Sequence, residues 1–206
     1  VYLREMAPAD WVAAARPWLA EAEVLGASVD GVEVVAAPAP GEEPPARDFG
    51  PGDEGWDEAM AVALAAIDEA PEDYERLYPL VIERLSRLDE IPAKLEFLFW
   101  GPGARLDEKS VKKVLLKEGA RAEEALAACR GVLAREDVPW EAAALEEACR
   151  ALAEPMDLKL KNLLQPLRVA VCGNMVSPPL FESIELMEPD DVLARIDAVA
   201  AEVFGA

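Results

Sequence analysis

The sequence predicts an all-α fold built as two consecutive helical bundles, and three observations carry that prediction. Hydrophobic residues make up 52% of the 206-residue chain, and alanine, the strongest helix former, supplies much of that share. Runs of β-branched residues of strand length are scarce. Apolar residues recur instead at intervals of three and four, which sets them on one face of a helix. The length suffices to bury a real core and lies at the border between one large domain and two small ones. The expected division is a first unit over residues 1–103, carrying a Pro/Gly-rich loop at about 26–55, and a second over 104–206.

Each element follows from its own residues. Pro8 and Asp10 open a segment in which Trp11, Ala15, Trp18, Leu19 and Ala22 keep helical spacing to about Leu25, with Pro17 expected to bend or split it. From about Gly26 to Gly55 the chain turns rich in Pro, Gly and acidic residues and reads as a loop, with a brief strand at Val32 to Val35. Trp56 to Ala70 is a helix ended by Pro71, and Tyr74 to Leu88 and Pro92 to Trp100 are read as two more. Gly101-Pro102-Gly103 is the best boundary, because glycine and proline fit poorly inside a helix. Beyond it, helices are expected at 110–116, 120–134, 139–153, 160–171, 178–187 and 189–204. Pro139 supplies the third of these starts, and Ser177-Pro178 the fifth, with the Ser177 hydroxyl as N-cap.

Composition excludes several function classes. There is no histidine, so no imidazole serves as general base or zinc ligand, and the formal net charge is −21. Acidity of this size argues against indiscriminate nucleic-acid binding, which draws its affinity from Lys and Arg displacing counterions. RNA contact would need a local basic patch. Lys109, Lys112, Lys113, Lys117, Arg121, Lys159 and Lys161 are the one such concentration, all in the C-terminal half and interleaved with acidic residues. Cys129, Cys149 and Cys172 have no CxxC or histidine partner and read as buried small hydrophobes of a reducing compartment. The five tryptophans could stack bases, but nearly all of them read as core. No apolar run has membrane-span length and the start, VYLREM, lacks a signal peptide's features, so a cytoplasmic location and no membrane partner are expected. Val1 reads as an internal residue of a longer chain.

The most specific stretch is LKNLLQPLRVAVCGNMVSPPLFE, residues 160–182. Arg168 lies there among Leu163, Leu164, Leu167, Val169 and Val171, so its charge must emerge at an edge or find a partner. Taken alone it is a candidate for a structural salt bridge. Arg84, in ERLSRLDEIP, taken alone caps a helix or pairs with Glu83 or Asp89.

The 160–182 stretch closely resembles the signature of the C-terminal anticodon-binding region of bacterial-type glutamyl-tRNA synthetases, in which Q-P-L-R-x-A-x-x-G precedes a turn and S/T-P-G-L-F-E. VYLREMAPADW and RLSRLDEIPAKLEFLF resemble earlier segments of the same family, so the likeness covers most of the chain outside about 26–55. It implies a helical cage that holds the anticodon. Carried over residue by residue, it implies RNA-binding roles for Arg84, Arg168, Ser177, Pro178 and Leu180, with Gln165 and Pro166 shaping the start of their helix. Pro179 stands where the family has Gly, which removes a backbone donor. Cys172 and Lys161 depart from the family's Thr and Gly.

The resemblance implies, as partners, glutamate tRNA through its anticodon loop and the catalytic domain of the same synthetase, with the protein a monomer. The HIGH and KMSKS signatures of the class I catalytic domain are absent, as is any βαβ pattern. The chain is therefore expected to have no catalytic residue and no cofactor of its own, and ATP and Mg belong to the parent's catalytic domain. The competing reading is an acidic helical adaptor for a basic protein partner, without RNA affinity. A stand-alone enzyme has no nucleophile–base pair or metal-ligand cluster to support it.

Overall fold

Helices carry the fold in the computed structural model, which describes residues 3–36 and 49–205. Among the described residues the strands form one two-stranded sheet, so the fold is mostly α, as expected. Residues 37–48, the middle of the expected loop at about 26–55, lie outside the described residues. The rest falls into two compact units, one within Val1–Ser28 and Arg47–Trp100, the other within Val29–Ala46 and Gly101–Ala206.

In the first unit, α1 (Pro8–Ala27) begins where Pro8 has no N–H to leave unpaired and Asp10 faces the positive end of the helix dipole. Trp11, Ala15, Leu19 and Ala22 form its buried stripe, and each is fully buried. The stripe packs on α2 (Trp56–Glu69), α3 (Pro71–Glu75), α5 (Ile91–Leu95) and a 3-10 turn at Glu96–Phe99. Pro17 does not split the helix. It lies on the exposed side, as does Ala13, so the carbonyl that loses its i+4 donor can turn to water.

The single helix expected over 74–88 is instead α3, a short α4 (Tyr78–Val81) and a 3-10 turn at Ile82–Arg84, after which Leu85 is extended at φ −92°, ψ 123°. Pro79 has no N–H for the Glu75 carbonyl, which prevents a continuous ladder. Leu77, Leu80, Val81 and Leu85 are buried all the same. Their spacing marked the core-facing residues without marking a helix. The segment expected as a helix over 92–100 likewise tightens into the 3-10 turn after Leu95.

Gly26, near the end of α1, is held by close approach: a Cβ there would meet the Glu96 carbonyl oxygen at 2.5 Å and the Phe99 Cβ at 2.6 Å. Since the Glu96 atom is backbone, it cannot rotate away. Gly26→Ala should therefore lower the unfolding free energy by about 1–3 kcal/mol despite alanine's better helix propensity. Urea unfolding checks the sign, and a stabilised variant would contradict the packing.

The second unit opens with β1 (Val32–Val35), which runs parallel to β2 (Ala104–Asp107), Val32 opposite Ala104. β1 was expected as a brief strand within the first unit, and β2 was not expected. In β2 Ala104 and Leu106 face the core with no exposure, while the Arg105 guanidinium pairs with Glu33 at 3.7 Å. Then follow α6 (Glu108–Ser110), a π-helical turn at Val111–Leu115, α7 (Ala122–Leu133), α8 (Ala142–Arg150), α9 (Leu160–Cys172), α10 (Leu180–Glu185) and α11 (Pro189–Phe204). Central to this unit is α9, which packs on α7, α11, the π turn and β2. The turn at Pro139 does not start α8. Glu141 is extended, and the Trp140 indole donates to the carbonyls of Ile184 and Met187 at 3.1 Å each.

Arg195 of α11 is wholly buried. Its Nε and Nη2 donate to the Gly101 carbonyl at 3.0 and 2.6 Å, and its Nη1 to the Val171 carbonyl at 2.7 Å. Burial pushes the guanidinium down to about 10, so it still carries its charge at neutral pH and donates to both carbonyls. The three cysteines are buried, as expected, and are not joined in a disulfide. Trp11, Trp56 and Trp100 are core residues, while Trp18 and Trp140 are half-buried.

Candidate nucleic-acid interface

α9 ends at Gly173, whose φ of 79° is left-handed and costs glycine nothing. The chain then makes a short loop to α10, and polar contacts fix it at both ends. On one side the Asp107 N–H donates to the Gly173 carbonyl at 2.8 Å, and the Met175 N–H donates to Ser110 Oγ at 3.0 Å. Ser110 in turn donates its N–H and its hydroxyl to Asp107 Oδ2, at 2.8 and 2.5 Å. Within the loop the Val176 N–H donates to Asn174 Oδ1 at 2.9 Å.

On the other side Arg168 Nη1 donates to Ser177 Oγ and, at 2.8 Å, to the Pro178 carbonyl. Arg168 therefore does find a partner, and it is a hydroxyl and a carbonyl rather than a carboxylate. One nitrogen of the fork is committed. Nε and Nη2 make no hydrogen bond to any described residue, and the side chain is half-buried. A guanidinium held on one edge with the other unspent is pre-oriented for a base edge or face. Beside it the Cys172 thiol is buried, and burial pushes it up, so it stays neutral.

Ser177 does not cap a helix. α10 starts at Leu180 with Pro179 in the N-cap position and no side-chain cap, because the Ser177 hydroxyl is engaged by Arg168 and the Pro178 carbonyl. Pro178 is buried, and Leu180 is 4% exposed within the unit's core. The structure thus brings Arg168, Ser177 and Pro178 together, and places Leu180 at the start of the next helix. Arg84 is in the first unit, exposed at the end of the 3-10 turn at Ile82–Arg84. Its neighbours Glu83 and Asp89 pair with Arg4 and Arg87 respectively.

Next to the Arg168 cluster is a cleft of about 720 Å³, lined by Lys112, Lys113 and Lys117 from the π turn and its exit and by Lys161 from α9. Asn162, Gln165 and Pro166 of α9, with Met175 and Val176 of the loop, complete most of its wall. Gln165 and Pro166 lie mid-helix and line this cleft, rather than shaping a helix start. Of the seven basic residues noted in the sequence, Lys109, Arg121 and Lys159 are outside the lining, and Arg121 is paired with Glu124 at 2.6 Å. Asn162, Met175 and Val176 had drawn no attention in the sequence. Only the 84% exposure of Val176, an apolar residue, marks the loop as a surface for contact. Among the described residues no helix is long and apolar enough to cross a membrane.

Comparison with known proteins accords with this geometry. Residues 55–200 match the family model described as an anticodon binding domain. The chain is 37% identical over 146 residues to a glutamate–tRNA ligase of Kineococcus radiotolerans, covering 69% of this chain and 28% of that protein. It is 47% identical over 95 residues to the glutamate–tRNA ligase of Mycolicibacterium vanbaalenii, covering 45% of this chain and 18% of that one. The chain thus spans about a quarter of the length of the first of these curated relatives and less of the second. Its fold is similar to part of a glutamate–tRNA ligase of Elizabethkingia meningosepticum, with a TM-score of 0.56, 20% identity, and coverage of 68% of this chain and 28% of that one.

Proposed function

The chain belongs to the anticodon binding domain family, and from that premise we propose that it is the anticodon-recognition part of a glutamate–tRNA ligase. The observation that carries the reading is the half-committed guanidinium of Arg168, fixed to Ser177 and Pro178 inside the family's own motif. With one edge anchored, Arg168 offers its remaining N–H groups to an unstacked anticodon base, the mode by which proteins read single-stranded RNA. Arg84, exposed in the first unit, is assigned a second base contact, and Ser177, Pro178 and Leu180 shape the surface beside Arg168. Of these, Leu180 acts from the core.

Glutamate tRNA is the partner this reading assigns, together with the catalytic region of the same ligase. The sequence here holds no HIGH or KMSKS signature, and the two-stranded sheet of the described residues is no nucleotide-binding fold. ATP and Mg, and the joining of glutamate to tRNA, are therefore assigned to that catalytic region, and a cytoplasmic location follows from the substrate. The named relatives are tRNA ligases, which sets the acidic-adaptor reading aside.

The test is binding at fixed low salt to a glutamate-tRNA anticodon stem-loop and to the same hairpin with its anticodon scrambled. Preference for the cognate hairpin is the expected outcome. Equal affinity for both would sink the reading.

A further inference from the structure

Beyond base reading, the lysine-lined cleft has properties that a motif for bases does not explain. Its volume, about 720 Å³, is within the range that seats a nucleotide-sized group. The chain has 41 acidic and 20 basic residues, yet four lysines and no carboxylate line this cleft. Lys112 is paired with Glu108 at 2.5 Å. By contrast Lys113, Lys117 and Lys161 have no ion-pair partner among the described residues, although most arginines of the chain have found one. In a surface this acidic, three ammonium groups without a carboxylate around one concavity are a focused positive field.

The choice of lysine narrows the ligand. An ammonium is a point charge that suits a phosphate oxygen, whereas the planar fork that fits a base edge belongs to arginine. The cleft also shares α9 and the loop after it with the Arg168 cluster. Gln165 of its wall is one helical turn before Arg168 on α9, and Val176 of its lip precedes Ser177 in the chain. The rigid strap from Asp107 and Ser110 to Gly173 and Met175 holds that lip in place.

We propose that Lys113, Lys117 and Lys161 bind the phosphodiester backbone of single-stranded RNA next to the nucleotide engaged by Arg168, as a sequence-independent clamp. The proposal rests on the anticodon-binding reading and adds a division of labour to it. Arginine discriminates, and the lysines hold the strand. An acidic protein segment would suit the same charges, but wall residues on the same helix as Arg168 and the same loop as Ser177 favour RNA.

The experiment compares the full chain with a Lys113→Gln/Lys117→Gln/Lys161→Gln variant and with Arg168→Ala. Affinity for cognate and scrambled anticodon hairpins is measured across a range of salt. Each phosphate contact to a single strand contributes about 0.7 to the slope of log K against log salt. The triple glutamine variant should therefore flatten that slope by about 2, lose affinity equally for both hairpins and keep the wild-type melting temperature, because the three side chains are exposed. Replacing the same lysines by arginine should restore the slope. Arg168→Ala should do the reverse, losing the preference and keeping most of the slope. An unchanged slope in the glutamine variant, or a loss confined to the cognate hairpin, overturns the clamp while leaving the anticodon reading intact. Absence of RNA binding by the wild-type chain overturns both.

Discussion

Arg168→Ala should weaken binding of the cognate anticodon hairpin by about five- to 150-fold, the range of roughly 1–3 kcal/mol that one bidentate arginine contact to a base supplies if the DNA-groove figure transfers to RNA. The scrambled hairpin should be affected far less. Removal of the side chain deletes the base donors and also takes one hydrogen bond each from Ser177 Oγ and the Pro178 carbonyl. A structural contribution of about 1 kcal/mol is therefore expected in urea unfolding. The two effects separate in the Arg168→Lys variant. Lysine keeps the charge but cannot hold Pro178 and a base with the two edges of a planar fork, so it should keep nonspecific affinity and lose preference. Equal loss on both hairpins would assign Arg168 to holding the loop rather than to reading the base.

Arg195→Leu should give the largest loss of stability, about 2–5 kcal/mol of unfolding free energy. Exchanging a buried charge for an apolar residue is often harmless when every partner is exchanged with it. Here the partners include the backbone carbonyls of Gly101 and Val171, which remain whatever side chain replaces the arginine. Each would be left in a dry site with its donor removed. Because Val171 is in the last turn of α9 and the Arg168 loop begins two residues later at Gly173, the variant should also lose RNA affinity for both hairpins in parallel. Chemical unfolding monitored by tryptophan fluorescence checks the magnitude. A variant as stable as the wild type would mean that water replaces the guanidinium at both carbonyls.

Much of the fold was legible because the governing interactions are local. α1, α2, α9 and α11 start and end within a few residues of their expected limits, since a proline at a first turn, an acidic first turn and a 3.6-residue apolar period all act within one helix. The helix expected over 74–88 failed where a local rule met a stronger one. Its leucines kept helical spacing, but Pro79 removed a hydrogen bond and the segment was bent to bring the same side chains into the core. β2 was invisible because ARLD is four residues long, and its partner β1 lies some seventy residues earlier. The site divides in the same way. Arg168, Ser177 and Pro178 fall within one motif of eleven residues, so sequence alone could group them. That Ser177 is bonded to Arg168 instead of capping α10 depended on the path of the loop.

By itself the sequence determined the helical class, the acidic charge, the absence of imidazole chemistry and the stretch at residues 160–182 that resembles an anticodon-binding signature, because composition and short motifs are properties of the chain before it folds. Only the tertiary structure decided that Lys161 of α9 meets Lys112, Lys113 and Lys117 from across the intervening α7 and α8, that half of the Arg168 fork is spent on Ser177 and Pro178, and that Leu180 is core. The physical reason is packing. Burying the apolar faces of α7 and α9 against one another brings distant side chains to one surface, and no local propensity encodes which polar groups then meet.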